Sequence, residues 1–257
     1  NKSNNNIKNR KEKEADEEQN KEKEEEYHEN ENNGEEEEDE MEEDEEEDEE
    51  TKDKKLSEFN SKFFPSFRKR IIKTEKNINL SDKLIENEGL KLFISIKLQQ
   101  VQKLNLSNNN ITNILPLENA SFKDLKYLNL SSNNIKDLDN LYKTRFQNLN
   151  ELLLSNCNIT SIFFLIKTPF YMLQYLDLSN NNITDISLFV KTNFDSLEYL
   201  NLNNNQIKKI NVLKEVSFNG IQKLMLSDNL ICDISVFSEA YFYELKEIDL
   251  SNNKIQN

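Results

Sequence analysis

The side chains that most often carry out enzyme chemistry are scarce in this chain. Its 257 residues include one histidine, His28, and two cysteines, Cys157 and Cys232. A cysteine nucleophile needs a base such as histidine within hydrogen-bond reach, and a structural zinc site needs four Cys or His ligands. His28 lies in an acidic segment remote in sequence from both cysteines. The sequence therefore predicts no enzyme and no Cys/His metal site.

The glycine positions and the hydropathy argue against a phosphate-binding loop and a membrane span. The three glycines, Gly34, Gly89 and Gly220, lie too far apart to form a phosphate-cradling loop. No apolar stretch approaches the ~20 residues that a membrane span requires. We predict no cofactor, no nucleic-acid partner and no membrane interaction.

Charge divides the chain near residue 55. Residues 1–55 carry 27 acidic and 10 basic residues, a net charge of −17, and residues 35–50 are 15 acids and one Met. Such a segment repels itself and lacks the apolar area to offset the entropy of ordering, so we predict that residues 1–55 are a disordered, low-complexity acidic tail. Three hypotheses for it remain open: a solvating tail, a segment that binds histones or other basic proteins, and an intramolecular partner for the basic stretch Lys52 to Lys76.

From residue 101 onward the sequence repeats with a strict period of 24 residues. Each unit reads L-x-x-L-x-L-x-x-N/C-x-I-x-x-I/L-x-x-L-x-x-x-x-F-x-x, and the phenylalanine recurs at Phe122, Phe146, Phe170, Phe194, Phe218 and Phe242. Strict repetition at this length indicates that one supersecondary unit is stacked along the chain. Because side chains alternate along a strand, the leucines of L-x-L point to the same side, and we predict one short strand per unit, stacked in parallel.

This pattern resembles the leucine-rich repeat family, most closely the subclass found in the regulatory leucine-rich subunit of protein phosphatase 1 and in bacterial internalins. The resemblance implies a right-handed α/β solenoid, or horseshoe, with parallel strands on the concave face and short helical or 3₁₀ turns on the convex face. It also implies that the polar residue after each strand points inward and bonds backbone groups of its own and the neighbouring turn. This structural ladder comprises Asn109, Asn133, Cys157, Asn181, Asn205, Asn229 and Asn253.

Residues 56–100 are interpreted as a basic linker and an N-terminal cap, and residues 101–257 as seven repeats, the last of them incomplete. When the repeat is extended one period toward the N-terminus, Leu80 and Leu90 fall on apolar positions of the unit. Asn77, Asp82 and Ile85 do not match the residues expected at their positions. We therefore predict a degenerate unit that covers the open end of the core. The chain begins without Met and stops within a unit, and we expect it to be a fragment of a longer protein.

The concave face is the candidate binding surface. The first strand position forms the tyrosine column: Lys103, Tyr127, Glu151, Tyr175, Tyr199, Lys223 and Glu247. The third forms the asparagine column: Asn105, Asn129, Leu153, Asp177, Asn201, Met225 and Asp249. Because exposed tyrosine and methionine are favoured anchors, we predict a set of partner-binding residues. These are Tyr127, Leu153, Tyr175, Asp177, Tyr199, Asn201 and Met225. The alternative is that the tyrosines only pack on one another.

The resemblance implies a protein–protein interaction scaffold or regulatory subunit, here expected to be a monomer, with a phosphatase or another signalling protein as its partner. The alternative function is an acidic nuclear protein that binds histones or other basic proteins through its tail. The cysteine-rich caps typical of secreted leucine-rich proteins are absent, which favours a reducing compartment, so we expect an intracellular location in the cytoplasm or the nucleus. The partner's identity does not follow from the sequence.

Overall fold

The computed structural model describes residues 48–64, 70–216 and 218–256. Its central element is one sheet of eight parallel strands in the order of the sequence. The strands are β1 (Asn77–Asn79), β2 (Lys103–Asn105), β3 (Tyr127–Asn129), β4 (Glu151–Leu153), β5 (Tyr175–Asp177), β6 (Tyr199–Asn201), β7 (Lys223–Met225) and β8 (Glu247–Asp249). Each strand pairs with its neighbours in sequence, so the chain forms the predicted leucine-rich-repeat solenoid.

The register is uniform from β2 to β8. Each strand residue pairs with the equivalent residue of the next unit, as Leu104 does with Leu128 and Leu176 with Leu200. From β2 to β7 the middle residue of the strand is a fully buried leucine, while the two flanking residues face the concave side. The L-x-L spacing therefore sets both the register and the face that each side chain occupies.

Short 3₁₀ turns form the convex side. They span Leu115–Asn119, Asp139–Lys143, Phe163–Ile166, Ser187–Lys191, Asn211–Lys214 and Ser235–Ser238. Before five of these six turns a polar side chain accepts a hydrogen bond from the first backbone N–H of the turn, as Asp137 does from Asp139 at 2.9 Å and Asp233 from Ser235 at 2.8 Å. Most of the turns bury one side chain, such as Leu141 or Leu213, and the turn Phe163–Ile166 buries two.

The repeated phenylalanines close the interior between the turns and the strands. Phe146 and Phe170 are each 1% exposed, and Phe122 stacks on Phe146 with ring centroids 6.3 Å apart. Full burial of one such side chain stabilises the fold by roughly 1.5–3 kcal/mol. Because the burial comes from neighbouring units, no unit can be stable alone.

The first unit differs from the prediction, since it contains a full strand and the sheet has eight strands instead of seven. Ile78 of β1 pairs with Leu104, so this unit is two positions longer than the interval from Leu104 to Leu128. Helix α2 (Glu86–Ser95) stands in this unit where the others have a 3₁₀ turn, which explains the longer unit. When the first unit is aligned with this greater length, Asn77 and Ile85 fall into register. Asp82 then corresponds to Asn108, and both residues have a positive φ, 58° for Asp82 and 55° for Asn108.

A second helix, α1 (Glu49–Phe63), covers the N-terminal end of the core. Asp48 accepts a hydrogen bond from Thr51 N–H at 2.7 Å, and the helix buries Leu56, Phe59 and Phe63. Phe59 lies 5.4 Å from Phe93 of α2, which continues the buried phenylalanines by one unit. Residues 49–55 are thus helical, so the predicted disorder is wrong for them. Residues 1–47, the rest of the predicted tail, lie outside the described residues.

Candidate functional site

The strands present two columns of side chains on the concave face. Adjacent strands are hydrogen-bonded in register, so neighbours in a column lie about 4.8 Å apart along the stack. Between β3 and β7 the outward residues are half-buried, except for Lys223, which is exposed. Half-burial means that these side chains contact one another and still offer surface to a partner.

Tyr175 and Tyr199 form the centre of the face. Their rings stack with centroids 4.3 Å apart and an interplanar angle of 1°. Burial raises the pKa of Tyr175 above its ordinary value, and the nearby Tyr199, Asp177 and Glu151 add to the increase. The tyrosines therefore do pack on one another, and the stack lies in a negative local field.

Charged residues border the stack toward both ends of the tyrosine column. Lys103 Nζ lies 5.8 Å from the ring centroid of Tyr127, within the range of a cation–π contact. Lys223 Nζ lies 2.6 Å from Glu247 Oε2, and both side chains are about half exposed. Such an exposed ion pair contributes little to stability, but it neutralises both charges on that part of the face.

The asparagine column has a structural role that explains most of its members. The side-chain oxygen accepts a hydrogen bond from the backbone N–H two residues later, which turns the chain out of the strand. Asp177 accepts from Ser179 at 2.9 Å and Asn201 from Asn203 at 3.1 Å. The same bond forms at Asn79, Asn105, Asn129 and Asp249. Of the predicted partner-binding residues, Asp177 and Asn201 therefore also hold the turn after their strands.

Leu153 and Met225 interrupt this pattern. Neither side chain can accept the bond, and an oxygen from the preceding unit replaces it. Ser155 N–H donates to Ser131 Oγ at 3.2 Å, and Ser227 N–H donates to Asn203 Oδ1 at 2.7 Å. The local turn thus gives no reason for an apolar residue at either position.

The ladder bonds each unit to the unit before it. Asn133 Nδ2 donates to three carbonyl oxygens, those of Leu106 at 3.0 Å, Leu130 at 2.9 Å and Ser131 at 3.3 Å. Its Oδ1 accepts from the N–H groups of Asn109 at 3.1 Å and Ile111 at 2.9 Å. The carboxamides of Asn109, Asn181, Asn205, Asn229 and Asn253 likewise bond backbone groups of their own and the preceding unit. These residues hold the stack, and all of them except the half-buried Asn253 are too deep to meet a partner.

Cys157 is the one ladder position without a carboxamide. Its Sγ lies 3.4 Å from Leu130 O and 3.5 Å from Ser155 O, both weak contacts. The N–H of Ile135, which corresponds to the N–H that donates to the ladder oxygen in other units, has no acceptor in the part of the chain that the structure describes. Burial raises the pKa of the Cys157 thiol to about 11, so the thiol stays protonated at neutral pH. The position is a weak point in the ladder.

Within residues 48–64, 70–216 and 218–256, no group of three His, Cys, Asp or Glu side chains could hold a metal ion. In the same ranges, no helix combines the length and the apolar character needed to cross a membrane. Both cysteines are free, Cys157 buried and Cys232 exposed.

Glu151 is a residue of this face that the predicted binding set omits. It pairs in register with Tyr127 on one side and with Tyr175 on the other. The signal was present in the tyrosine column, where Glu151 is the one charge between two tyrosines. Sequence spacing alone does not distinguish a carboxylate that is neutralised by a neighbour from one that is not.

Comparison with known proteins agrees with the geometry. The family profile described as leucine-rich repeats in two copies matches residues 99–143 and 172–215. No curated protein matches the chain.

Solved structures provide the longer matches. An internalin (inlF) of Listeria monocytogenes is 28% identical with a TM-score of 0.54, over 65% of this chain and 46% of that one. Internalin C2 of Listeria monocytogenes is 25% identical with a TM-score of 0.61, over 79% of this chain and 85% of that one. A leucine-rich repeat protein of Leptospira interrogans shares the fold at 24% identity and a TM-score of 0.56, over 70% and 43%. This chain spans less than half of the first and third structures. Together with the ladder and the uniform register, these matches show a leucine-rich-repeat solenoid whose repeats are similar to those of the internalins.

Proposed function

We propose that this chain is a non-catalytic scaffold or regulatory subunit that binds a protein partner on the concave face between β3 and β7. Leucine-rich repeat domains suit protein–protein interaction because the stacked strands present a continuous surface of exchangeable side chains. The five strands from β3 to β7 extend about 19 Å along the stack, at about 4.8 Å per strand. Each of them contributes one aromatic or apolar residue to that surface: Tyr127, Leu153, Tyr175, Tyr199 and Met225.

The observation that carries the proposal is the apolar side chain at Leu153 and Met225. The stacking of Tyr175 on Tyr199 has a local explanation, since neighbouring aromatic residues on a sheet stabilise each other. The two apolar residues have none, because each gives up the hydrogen bond that asparagine or aspartate makes at the same position. Methionine and aliphatic residues beside tyrosine supply the adaptable apolar contacts of a binding surface.

The cellular setting is a separate proposal. Cys157 and Cys232 are unpaired, and Cys232 is exposed. An exposed free thiol persists in a reducing compartment, so we propose an intracellular location, in the cytoplasm or the nucleus. Imaging of a tagged full-length chain tests this, and a signal restricted to an oxidising compartment would contradict it.

The experiment compares capture of partners by three forms of the full-length chain. The test variant carries Tyr175→Ala and Tyr199→Ala. The control carries Tyr171→Ala and Tyr243→Ala, which removes two tyrosines that are 58% and 81% exposed and lie outside the strands. We expect the same proteins to be captured by the natural chain and the control and to be lost from the test variant.

Two results would contradict the proposal. If the test variant captures what the natural chain captures, the concave face is not the binding surface. A further form that lacks residues 1–47 separates the alternative function: loss of every captured protein on that deletion would assign binding to the acidic tail.

A further inference from the structure

Glu151 is the unpaired charge of the tyrosine column. The other charges of this column contact a neighbour: Lys103 lies over Tyr127, and Lys223 pairs with Glu247. Glu151 is half-buried and forms no ion pair with any of the described residues. A carboxylate held on a recognition surface without a counter-ion is the complement of a cation supplied by a partner.

Aromatic residues lie on both sides of Glu151. It stands between Tyr127 of β3 and Tyr175 of β5, which are two strand spacings, or about 9.6 Å, apart. One face of the Tyr175 ring is covered by Tyr199, so its opposite face is turned toward β4, where Glu151 lies. We call this part of the concave face, where Glu151 lies between the two tyrosine positions, the slot.

A second carboxylate lies beside the slot. Asp177 is on the same strand as Tyr175, and its Oδ1 accepts from Ser179 N–H at 2.9 Å. Its negative charge remains unpaired within the described ranges. Leu153 pairs in register with Asp177 and adds an apolar surface next to both carboxylates.

We propose that this slot binds an arginine or lysine side chain of the protein partner, with Glu151 and Asp177 as counter-ions and Tyr175 and Tyr127 as aromatic walls. The chemistry fits each part of that side chain. The cationic head pairs with the carboxylates and contacts the face of the tyrosine ring, and the aliphatic stem packs on Leu153. The proposal rests on the proposed function, because it specifies what the concave face recognises.

The test begins with short random peptides displayed on phage and selected on the full-length natural chain. Peptides that also bind the variant carrying Tyr175→Ala and Tyr199→Ala are removed, so that those retained depend on the concave face. The retained peptides are synthesised, and their affinities are measured against two further variants. The first carries Glu151→Gln and Asp177→Asn, where asparagine keeps the turn bond that Asn129 and Asn201 already make. The matched control carries Glu247→Gln and Asp249→Asn, the same changes at the same columns in β8.

We expect the retained peptides to share an arginine or lysine, and to bind the first variant about tenfold more weakly than the natural chain. Binding to the control should change less than about twofold, since Glu247 is already neutralised by Lys223. Replacement of the peptide's arginine by citrulline, which keeps the shape and removes the charge, should weaken binding to the natural chain by a similar factor.

The acidic tail is present in every form, so a general attraction for basic peptides affects all of them equally. Retained peptides that lack a basic residue, or equal loss on both charge variants, would overturn the inference and leave the proposed function intact. If no peptide depends on the concave face, the proposed function itself fails, and the inference fails with it.

Discussion

Replacement of Cys157 by asparagine should stabilise the protein. Cys157→Asn places in the fourth strand-bearing unit the carboxamide that the neighbouring ladder positions carry. The new Oδ1 would accept from Ile135 N–H, which has no acceptor among the described residues, and from Asn133 N–H. The new Nδ2 would replace the long sulfur contacts of 3.4 and 3.5 Å to Leu130 O and Ser155 O.

The expected gain follows from those bonds. Each intramolecular hydrogen bond contributes about 0.5–1.5 kcal/mol net, and ordering the asparagine side chain costs a part of this. We expect the free energy of unfolding to rise by about 1–2 kcal/mol. For a unit of this size, residues 47–257, that corresponds to an increase in Tm of roughly 2–6 °C.

Urea denaturation followed by circular dichroism measures the change. Cys157→Ala serves as the control, because it removes the thiol and adds no carboxamide. Asn205→Cys is the reverse test, since it makes the natural defect two units further on and should cost at least about 2 kcal/mol. If Cys157→Asn is no more stable than Cys157→Ala, the ladder hydrogen bonds do not determine the stability of the stack, and the reasoning is wrong.

Three further predictions concern different parts of the molecule. Because the folded-state pKa of Cys157 is raised from 9.0 to about 11, stability should fall between pH 9 and 11 by up to about 1.4 kcal/mol per pH unit, and Cys157→Ala should remove that part of the slope in unfolding titrations. Gly89→Ala places a Cβ 2.6 Å from Phe63 Cζ, so it should destabilise the protein by about 1–3 kcal/mol and expose α1 to proteolysis. If α1 stays protected in this variant, its packing on α2 is not as described. Met225→Asn should restore the hydrogen bond from Ser227 N–H to residue 225, raise the free energy of unfolding by at most about 1 kcal/mol and weaken partner binding. If partner binding is unchanged, Met225 is not part of the interface.

The solenoid could be predicted from the sequence because its core is periodic. The leucines and phenylalanines that recur once in every unit predicted the strands β2 to β8 and the side that each residue faces, and the structure confirms this fold. A constant unit length predicts the wrong register for the first unit. Its convex helix makes the unit two positions longer, which moved Asn77 and Ile85 out of the expected register.

Helix α1 could not be predicted because it depends on what it covers. Leu56, Phe59 and Phe63 are few apolar residues among acids and lysines, and they become a buried face only beside Phe93. Buried Asn60 then holds the returning chain through two bonds to Ile71, at 2.8 and 2.9 Å. Isolated helices of this length are marginal, so packing decides the outcome.

The sequence could place the candidate residues on the concave face. The spacing of the sequence shows which residues belong to each column, but it does not show what each side chain does there. Asparagine and aspartate serve equally as turn acceptors and as partner contacts, so only the hydrogen bonds of Asp177 and Asn201 reveal their structural role. Whether the predicted residues bind a partner stays a prediction for the experiments above.

The equal spacing of the units bears on how such a chain evolves. Gain or loss of one whole unit between β2 and β8 leaves every remaining junction complementary, because each interior leucine meets another at the same depth. Recombination between gene segments that encode different units could therefore reorder the surface residues while the core is preserved. New recognition properties would then arise by shuffling intact modules, with no need for compensating changes inside the protein.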